Sequence, residues 1–144
     1  FEEAFNAGTL DAFSAYTSCR RLEASDHLYH LDFELTSPDG KCYVFIENLF
    51  RKKGGCAIFP GPVNFFELQM FETMSQLRAQ GNQTAIFMLA PRSDCQSARF
   101  TWNLDPVAAA KIFDEAKNGL NFVCYGCNVA LNHVTIGSRK EILY

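Results

Sequence analysis

The sequence predicts an α/β fold, an α/β sandwich in which helices pack on a mixed β-sheet, with its elements in the order αββαβαβ. Strand-like and helix-like segments alternate along the chain. The strand-like segments either alternate between polar and apolar residues or are apolar throughout, and the others have helical periodicity. Of the 144 residues, 48% are hydrophobic and 20% are charged, so the chain has enough apolar surface for one packed core. We therefore expect residues 1–144 to form a single domain.

The first elements are a short helix and a β-hairpin. Apolar residues at helical spacing follow two acidic residues in 1–13, which indicates an amphipathic helix. Polar and apolar residues then alternate over 28–35, as in a strand with one buried face. Ser37-Pro38-Asp39-Gly40 is a turn sequence, and residues 42–49 are almost entirely apolar and β-prone. Together these two strands and the turn predict the hairpin.

The second half of the chain alternates helices and strands. Residues 63–80 carry a helical apolar stripe after a proline-rich loop, and Gly81 suits the helix end. An apolar strand is expected at 84–90, a helix at 107–117 and a strand at 120–124, with a further hairpin over 129–137. The segment 18–23 is polar and no element is predicted there, and the polar segment 91–102 is predicted to be a connection. Crossovers between these strands predict parallel pairing in part of the sheet.

Charge and hydropathy exclude some classes of function. The net charge is −3, which argues against a mainly electrostatic grip on nucleic acid, so nucleic acid is not an expected partner. No apolar run reaches about 18 residues, and we expect no transmembrane segment. Residues 51–55 contain a basic cluster, Arg51-Lys52-Lys53, which is either a solvated loop or a contact for phosphates.

Six cysteines offer one metal-binding pattern. Cys124 and Cys127 form a CxxC pair, and His133 follows it. A structural zinc site needs four ligands, and the sequence has no second pair, so buried thiols are the alternative interpretation. We predict neither a bound metal nor any other cofactor.

Several segments resemble one known family. Residues 2–13 are similar to its EAxxAGxxxxL helix, 20–23 to its RRE segment and 31–35 to its IDFLL strand. Residues 42–48, Cys-Tyr-Val-Phe-Ile-Glu-Asn, stand where that family has CYVEVKN. Over nearly its whole length the chain resembles the C-terminal domain of the sugar fermentation stimulation protein (SfsA) family. The resemblance implies a PD-(D/E)xK nuclease-like fold; the family's N-terminal OB-like domain is expected to be absent.

The resemblance also implies a degenerate active site. Nucleases of this fold bind a divalent cation through an Asp and a Glu, and a nearby Lys helps to activate water. Asp32 keeps the first carboxylate, but Phe45 stands at the Glu position and Glu47 at the Lys position. We therefore expect no catalytic residues, no metal site and no enzymatic activity. The alternative is that Asp32 and Glu47, on one strand face, still hold a metal.

These residues lead to a functional expectation with two alternatives. We expect an inactive nuclease-like domain that serves as an intracellular structural subunit of a larger protein assembly. A mitochondrial complex, such as a ribosome or the respiratory or ATP synthase machinery, is one candidate setting. Phe65, Leu68 and Phe71 are the candidate interface, unless the domain's own core covers them. The alternatives are a residual metal-dependent nuclease and a nucleic-acid-binding module that does not cleave.

Overall fold

A large mixed sheet forms the centre of the molecule. The computed structural model describes residues 1–28, 30–60, 65–101 and 106–144, and the side chains of 65–68 and 108 lie outside this description. Its helices are α1 (Glu2–Asn6), α2 (Phe65–Ala79) and α3 (Pro106–Lys117). Its strands are β1 (Ser18–Arg21), β2 (Phe33–Ser37), β3 (Gly40–Asn48), β4 (Lys52–Lys53), β5 (Cys56–Phe59), β6 (Gln83–Ala90), β7 (Ser97–Phe100), β8 (Leu120–Val129) and β9 (Val134–Leu143).

The strand order is β1-β2-β3-β6-β8-β9-β7-β5-β4. Strands β1, β2 and β3 pair antiparallel, whereas β3, β6 and β8 are parallel neighbours. Strand β9 returns antiparallel to β8 and also pairs in parallel with β7. The last strand therefore joins the β7-β5-β4 part of the sheet to the main part.

The predicted fold class is confirmed, and most predicted elements are present. The strands expected at 42–49, 84–90 and 120–124 correspond to β3, β6 and β8. The helix expected at 63–80 is described from Phe65, and residues 63–64 lie outside the described residues. It ends as predicted at Gly81, where φ is 88° and the N–H donates to the Arg78 carbonyl. Among the described residues, no helix has both the length and the apolar character of a membrane span.

Three segments differ from the expectation. The strand expected at 28–35 begins only at Phe33, because His30 has a left-handed backbone with φ of 72° and interrupts the extended chain. The polar segments at 18–23 and 91–102 contain strands β1 and β7. Residues 1–13 form the short helix α1 and a single 3₁₀ turn rather than one helix.

The sheet has a packed cluster on each face. Helices α2 and α3 cover one face, with Met70, Met74 and Ile112 in its core. The N-terminal segment covers the other face, with Leu10 and Phe13 in its core.

The burial of α2 corrects part of the candidate interface. Phe71 is only 2% exposed and belongs to the core under α2 and α3, so the expectation that it lies on a surface patch is wrong. Apolar residues three and four positions apart on α2 point to the sheet, and Phe71 continues the stripe of Met70 and Met74. The side chains of Phe65 and Leu68 lie outside the described residues.

Candidate nucleic-acid interface and degenerate nuclease site

Asp32 lies directly before β2 and is fixed against the backbone of β3. Its Oδ2 accepts a hydrogen bond of 2.7 Å from the N–H of Ile46, and its own N–H donates to the Val44 carbonyl at 2.9 Å. Burial raises the pKa of the Asp32 carboxyl, while the Ile46 N–H and the charge of Arg21 oppose that rise. The carboxylate thus sits at the β3 backbone between the positions of Phe45 and Glu47.

The strand places Phe45 and Glu47 on one face of the sheet, as their spacing predicts. Successive side chains of a strand point to opposite faces, so residues 45 and 47 share a face. Phe45 is half-buried and packs against the core that α2 and α3 cover, and Glu47 is also half-buried. The position of the expected metal-binding Glu is therefore occupied by an apolar ring that belongs to the core.

These residues do not fit a divalent cation. A hard cation such as Ca²⁺ takes six to eight oxygen ligands in proteins. The described residues contain no group of three or more His, Cys, Asp or Glu side chains placed to hold a metal ion. One oxygen of Asp32 is already used by Ile46, and Phe45 contributes no ligand atom.

The CxxC pair is not part of any group of three or more possible metal ligands in the part of the chain that the structure describes. Cys124 and Cys127 are both buried thiols, and His133 is exposed at the turn between β8 and β9. Burial raises the pKa of Cys124 to about 12, so this thiol stays protonated at neutral pH. The interpretation of ordinary buried thiols fits these surroundings.

Three basic side chains lie together on one face of β4, β5 and β7. The register pairs Lys53 with Cys56 and Ile58 with Arg99, and the Ile58 N–H donates to the Arg51 carbonyl at 2.9 Å. Arg51, Lys53 and Arg99 therefore share a face, and all three are exposed. The backbone positions of Arg51 and Lys53 are about 7 Å apart along the strand. The backbone positions of Arg51 and Arg99 are about 10 Å apart across two strand spacings. None of the three has an ion-pair partner among the described residues.

The neighbouring lysine behaves differently. Lys52 points to the opposite face and its Nζ pairs with Asp94 at 2.6 Å. Arg92 also pairs with Asp94, at 2.8 Å, so two cationic side chains share one carboxylate in this cluster. Sequence reasoning found Arg51 and Lys53 but missed Arg99, because the segment around Arg99 was interpreted as a connection. The alternation Ala98, Phe100 around Arg99 was the available signal for a strand.

Charge is segregated along the chain. Residues 1–40 hold eight acidic and two basic side chains, and they form the β1-β2 end of the sheet. Strands β4, β5 and β7 form the opposite end. The net charge of −3 is therefore the sum over an acidic part and a more basic part of the chain.

Comparison with known proteins identifies bacterial relatives. The chain is 31% identical over 138 residues to a sugar fermentation stimulation protein homolog of Maricaulis maris, and this match covers 94% of the chain and 58% of the relative. It is 26% identical over 137 residues to the homolog of Paramagnetospirillum magneticum, again covering 94% of the chain and 58% of the relative. The chain thus spans a little over half the length of these curated relatives.

These relatives correct the expected biological setting. They are bacterial sugar fermentation stimulation protein homologs, and none of their names describes a subunit of a mitochondrial or other complex. The expectation of a structural subunit in a mitochondrial complex is therefore wrong. It rested on the loss of the polar residues of the nuclease site, and this loss does not specify an assembly.

A solved structure and a family model agree with the fold. The chain superposes with a TM-score of 0.82 and 14% identity on the structure of Pyrococcus furiosus SfsA in complex with Ca²⁺, covering 100% of the chain and 62% of that protein. This likeness shows the shared fold. The family described as "Sugar fermentation stimulation protein RE domain" matches residues 1–133. The chain therefore belongs to the sugar fermentation stimulation protein family.

Proposed function

We propose that this domain binds nucleic acid without cutting it. The observation that carries the proposal is the exposed basic face of Arg51, Lys53 and Arg99. Glu141 stands opposite Ser97 on the same face, but none of the three basic residues forms an ion pair with a described acidic residue. Unpaired Lys and Arg side chains gain free energy at a phosphate backbone because they release its condensed counterions. A basic face can do so even when the whole chain is acidic, since charges more than about 10 Å away are screened at 0.1 M salt.

The nuclease-like fold supports the same substrate class, and the emptied site supports the lack of cleavage. Hydrolysis by this fold needs a cation beside the scissile phosphate and a base for the attacking water. Phe45 offers no ligand, and Glu47 places a negative charge where a phosphate would approach. The Ca²⁺ bound by the Pyrococcus furiosus protein is a property of that protein. For this chain we infer binding without metal-dependent chemistry.

Binding is tested by fluorescence anisotropy with labelled single- and double-stranded DNA and RNA at several salt concentrations. We expect Arg51→Gln, Lys53→Gln and Arg99→Gln each to weaken binding, and each to reduce the slope of log K against log salt by about 0.7–0.9. Lys117→Gln, at an exposed lysine of α3, is the matched control and should change neither quantity. No binding, or equal loss in the control, contradicts the proposal.

Cleavage is tested on the same nucleic acids with Mg²⁺ or Mn²⁺, followed by gel electrophoresis. We expect intact substrates. Cleavage that disappears in Asp32→Ala would instead identify a residual metal-dependent nuclease.

A further inference from the structure

Two cationic side chains share one carboxylate just after the carboxyl end of β6. Asp94 accepts hydrogen bonds from Arg92 Nε at 2.8 Å and Nη2 at 2.9 Å, and the Nζ of Lys52 pairs with the same carboxylate at 2.6 Å. The bonds from Arg92, and then the bond from Lys52, lower the pKa of the Asp94 carboxyl, so this acid stays ionised at neutral pH. One negative charge therefore orients two positive ones, and the group keeps an excess of positive charge.

The segment from Arg92 to Gln96 that carries this group is anchored to the rest of the fold. The Arg92 N–H donates to the Ala90 carbonyl at 2.7 Å, and the Gln96 N–H donates to the Gly55 carbonyl at 3.0 Å. Between them, Cys95 is buried in the core under α2 and α3. The charged side chains on this segment are partly exposed. A fixed backbone thus presents them to solvent.

Lys140 adds a third cation on the same face of the sheet. Lys52 stands opposite Ala57 in β5, and Lys140 stands opposite Cys124 in β8. Ala57 and Cys124 both belong to the core under α2 and α3, so the two lysines project to that side of the sheet. The basic face proposed for nucleic acid lies on the other side. Lys140 forms no ion pair within the ranges that the structure describes.

The ammonium of Lys140 lies at the carboxyl ends of β6 and β8. Its stem crosses Gly126, where a Cβ would lie 2.6 Å from Lys140 Cε and 3.5 Å from Nζ. Gly126 pairs with Ala90, to whose carbonyl Arg92 is bonded, and extending the β7–β9 register by one residue places Lys140 beside Gln96. In open α/β sheets, ligands bind outside the carboxyl ends of the strands.

We propose that Arg92, Lys52 and Lys140 bind the phosphate group of a phosphomonoester. Three cations and one carboxylate leave an excess of two positive charges, which matches a monoester of charge about −1.5 to −2 better than a singly charged diester. The guanidinium has five N–H donors, of which Asp94 takes two, and each ammonium has three, so donors remain for the phosphate oxygens.

This site is separate from the degenerate nuclease site and from the basic face. Glu47 stands in register with Met88, then Cys124, then Lys140, so three strand spacings, about 14 Å, lie between Glu47 and Lys140. The basic face lies on the opposite side of the sheet. Phosphomonoester binding is therefore independent of the proposed nucleic-acid binding.

The test titrates the 144-residue chain with methyl phosphate and follows the binding by ¹H–¹⁵N NMR. We expect the amide signals of Arg92, Gln96 and Lys140 to shift, and methyl phosphate to bind more tightly than dimethyl phosphate, which carries a single charge. Equal binding of the two probes would overturn the assignment to a phosphomonoester.

A free small molecule and the end of a nucleic-acid strand can both carry this group. A dinucleotide with a 5′-phosphate is therefore compared with methyl phosphate and with the same dinucleotide ending in a 5′-hydroxyl. Tighter binding of the phosphorylated dinucleotide than of methyl phosphate would assign the strand end as the ligand, and equal binding would assign the phosphate group alone. Equal binding of the two dinucleotides would contradict the proposal.

Charge-removing variants locate the site. Arg92→Gln and Lys140→Gln should each weaken methyl phosphate binding by about ten-fold or more, because a charge-assisted contact is lost. Lys117→Gln, at an exposed lysine of α3, removes the same charge elsewhere and should leave the binding unchanged.

A glycine variant tests the position of Lys140 without changing any charge. Gly126→Ala adds a Cβ 2.6 Å from Lys140 Cε, which displaces the flexible end of this side chain and should also weaken binding. Gly137→Ala, where the added Cβ meets Asn128 instead, is the matched control and should bind normally. If Lys140→Gln and Gly126→Ala bind methyl phosphate as the unaltered chain does, with NMR spectra of folded proteins, the proposal is wrong.

Discussion

Arg78 of α2 donates a hydrogen bond to the carboxylate of Glu115 of α3, and this ion pair joins the two long helices. Glu115 is 3% exposed, and the Arg78 side chain is 10% exposed. Arg78 also donates to the Thr84 hydroxyl at 2.7 Å, and Lys111 reaches the same carboxylate at 2.7 Å. The pair therefore ties both helices to β6 beneath them.

Removing the charge of Glu115 should strongly destabilise the domain. Glu115→Gln leaves the buried Arg78 without its counter-charge, and a buried pair broken on one side costs about 3–5 kcal/mol. Asp114→Asn, at the exposed neighbouring position, should change the free energy of unfolding by less than about 0.5 kcal/mol. Urea unfolding measures both. Equal effects of the two changes would mean that the pair has no such role.

Phe71 should behave as a core residue. Phe71→Ala removes a ring that is 2% exposed, and should lower the free energy of unfolding by about 3–5 kcal/mol. Phe50 is 69% exposed, so Phe50→Ala is the matched control, with an expected change within about 0.5 kcal/mol. Denaturant titration of both variants provides the comparison. If Phe71→Ala lowers the free energy of unfolding no more than Phe50→Ala does, Phe71 is not a core residue.

Asp32 should make stability depend on pH. Burial raises the pKa of its carboxyl above 3.8 in the folded chain, so the protonated form is the one that folding favours. Its contribution to stability is complete below the unfolded pKa and is lost as pH rises through the folded pKa. Asp32→Asn keeps an oxygen for the Ile46 N–H and removes the charge. We therefore expect the variant to gain stability relative to the unaltered chain as pH rises from about 3 to about 7.

Unfolding measured at intervals across that pH range gives the difference between the two proteins. A difference that shrinks with rising pH would show that the charged form of Asp32 is the stabilised one.

Restoring one carboxylate should not create a nuclease. Phe45→Glu returns a ligand to β3, but Glu47 still occupies the position where the resemblance predicts Lys. We expect no cleavage of DNA or RNA with Mg²⁺ or Mn²⁺. The ring of Phe45 also packs on the core, so the variant should unfold at lower denaturant concentration. Cleavage by this single variant would show that the lysine is dispensable here.

The central strands could be predicted well from the sequence because each contains a run of consecutive apolar residues. β3 and β6 lie between other strands and under packed clusters, so residues 42–46 and 85–90 of these strands are all apolar. The edge strand β1 is mostly exposed, so its Ser-Cys-Arg-Arg sequence carries no apolar pattern. It forms through pairing with β2, and such long-range pairing has no local signature.

The degenerate site could be predicted from the sequence, whereas the basic face could not. Asp32, Phe45 and Glu47 could be located from motif positions in the sequence, and the Ile46 N–H donates a hydrogen bond to Asp32 from between the other two. The basic face depends on Arg99 pairing opposite Ile58, which lies far earlier in the chain. Net charge could not reveal it, since that sum discards position.

The double pairing of β9 determines the order in which the sheet can close during synthesis. A nascent chain emerges from the ribosome N-terminus first, so β5 and β7 emerge long before β9. Among the described strands, β9 is the one that links β7 to β8, and until it emerges the β7 edge that it covers stays open. Exposed strand edges are templates for pairing with other chains. The basic end of the molecule is therefore joined to the rest of the sheet only after β9 has emerged, and until then its open edge can pair with another chain.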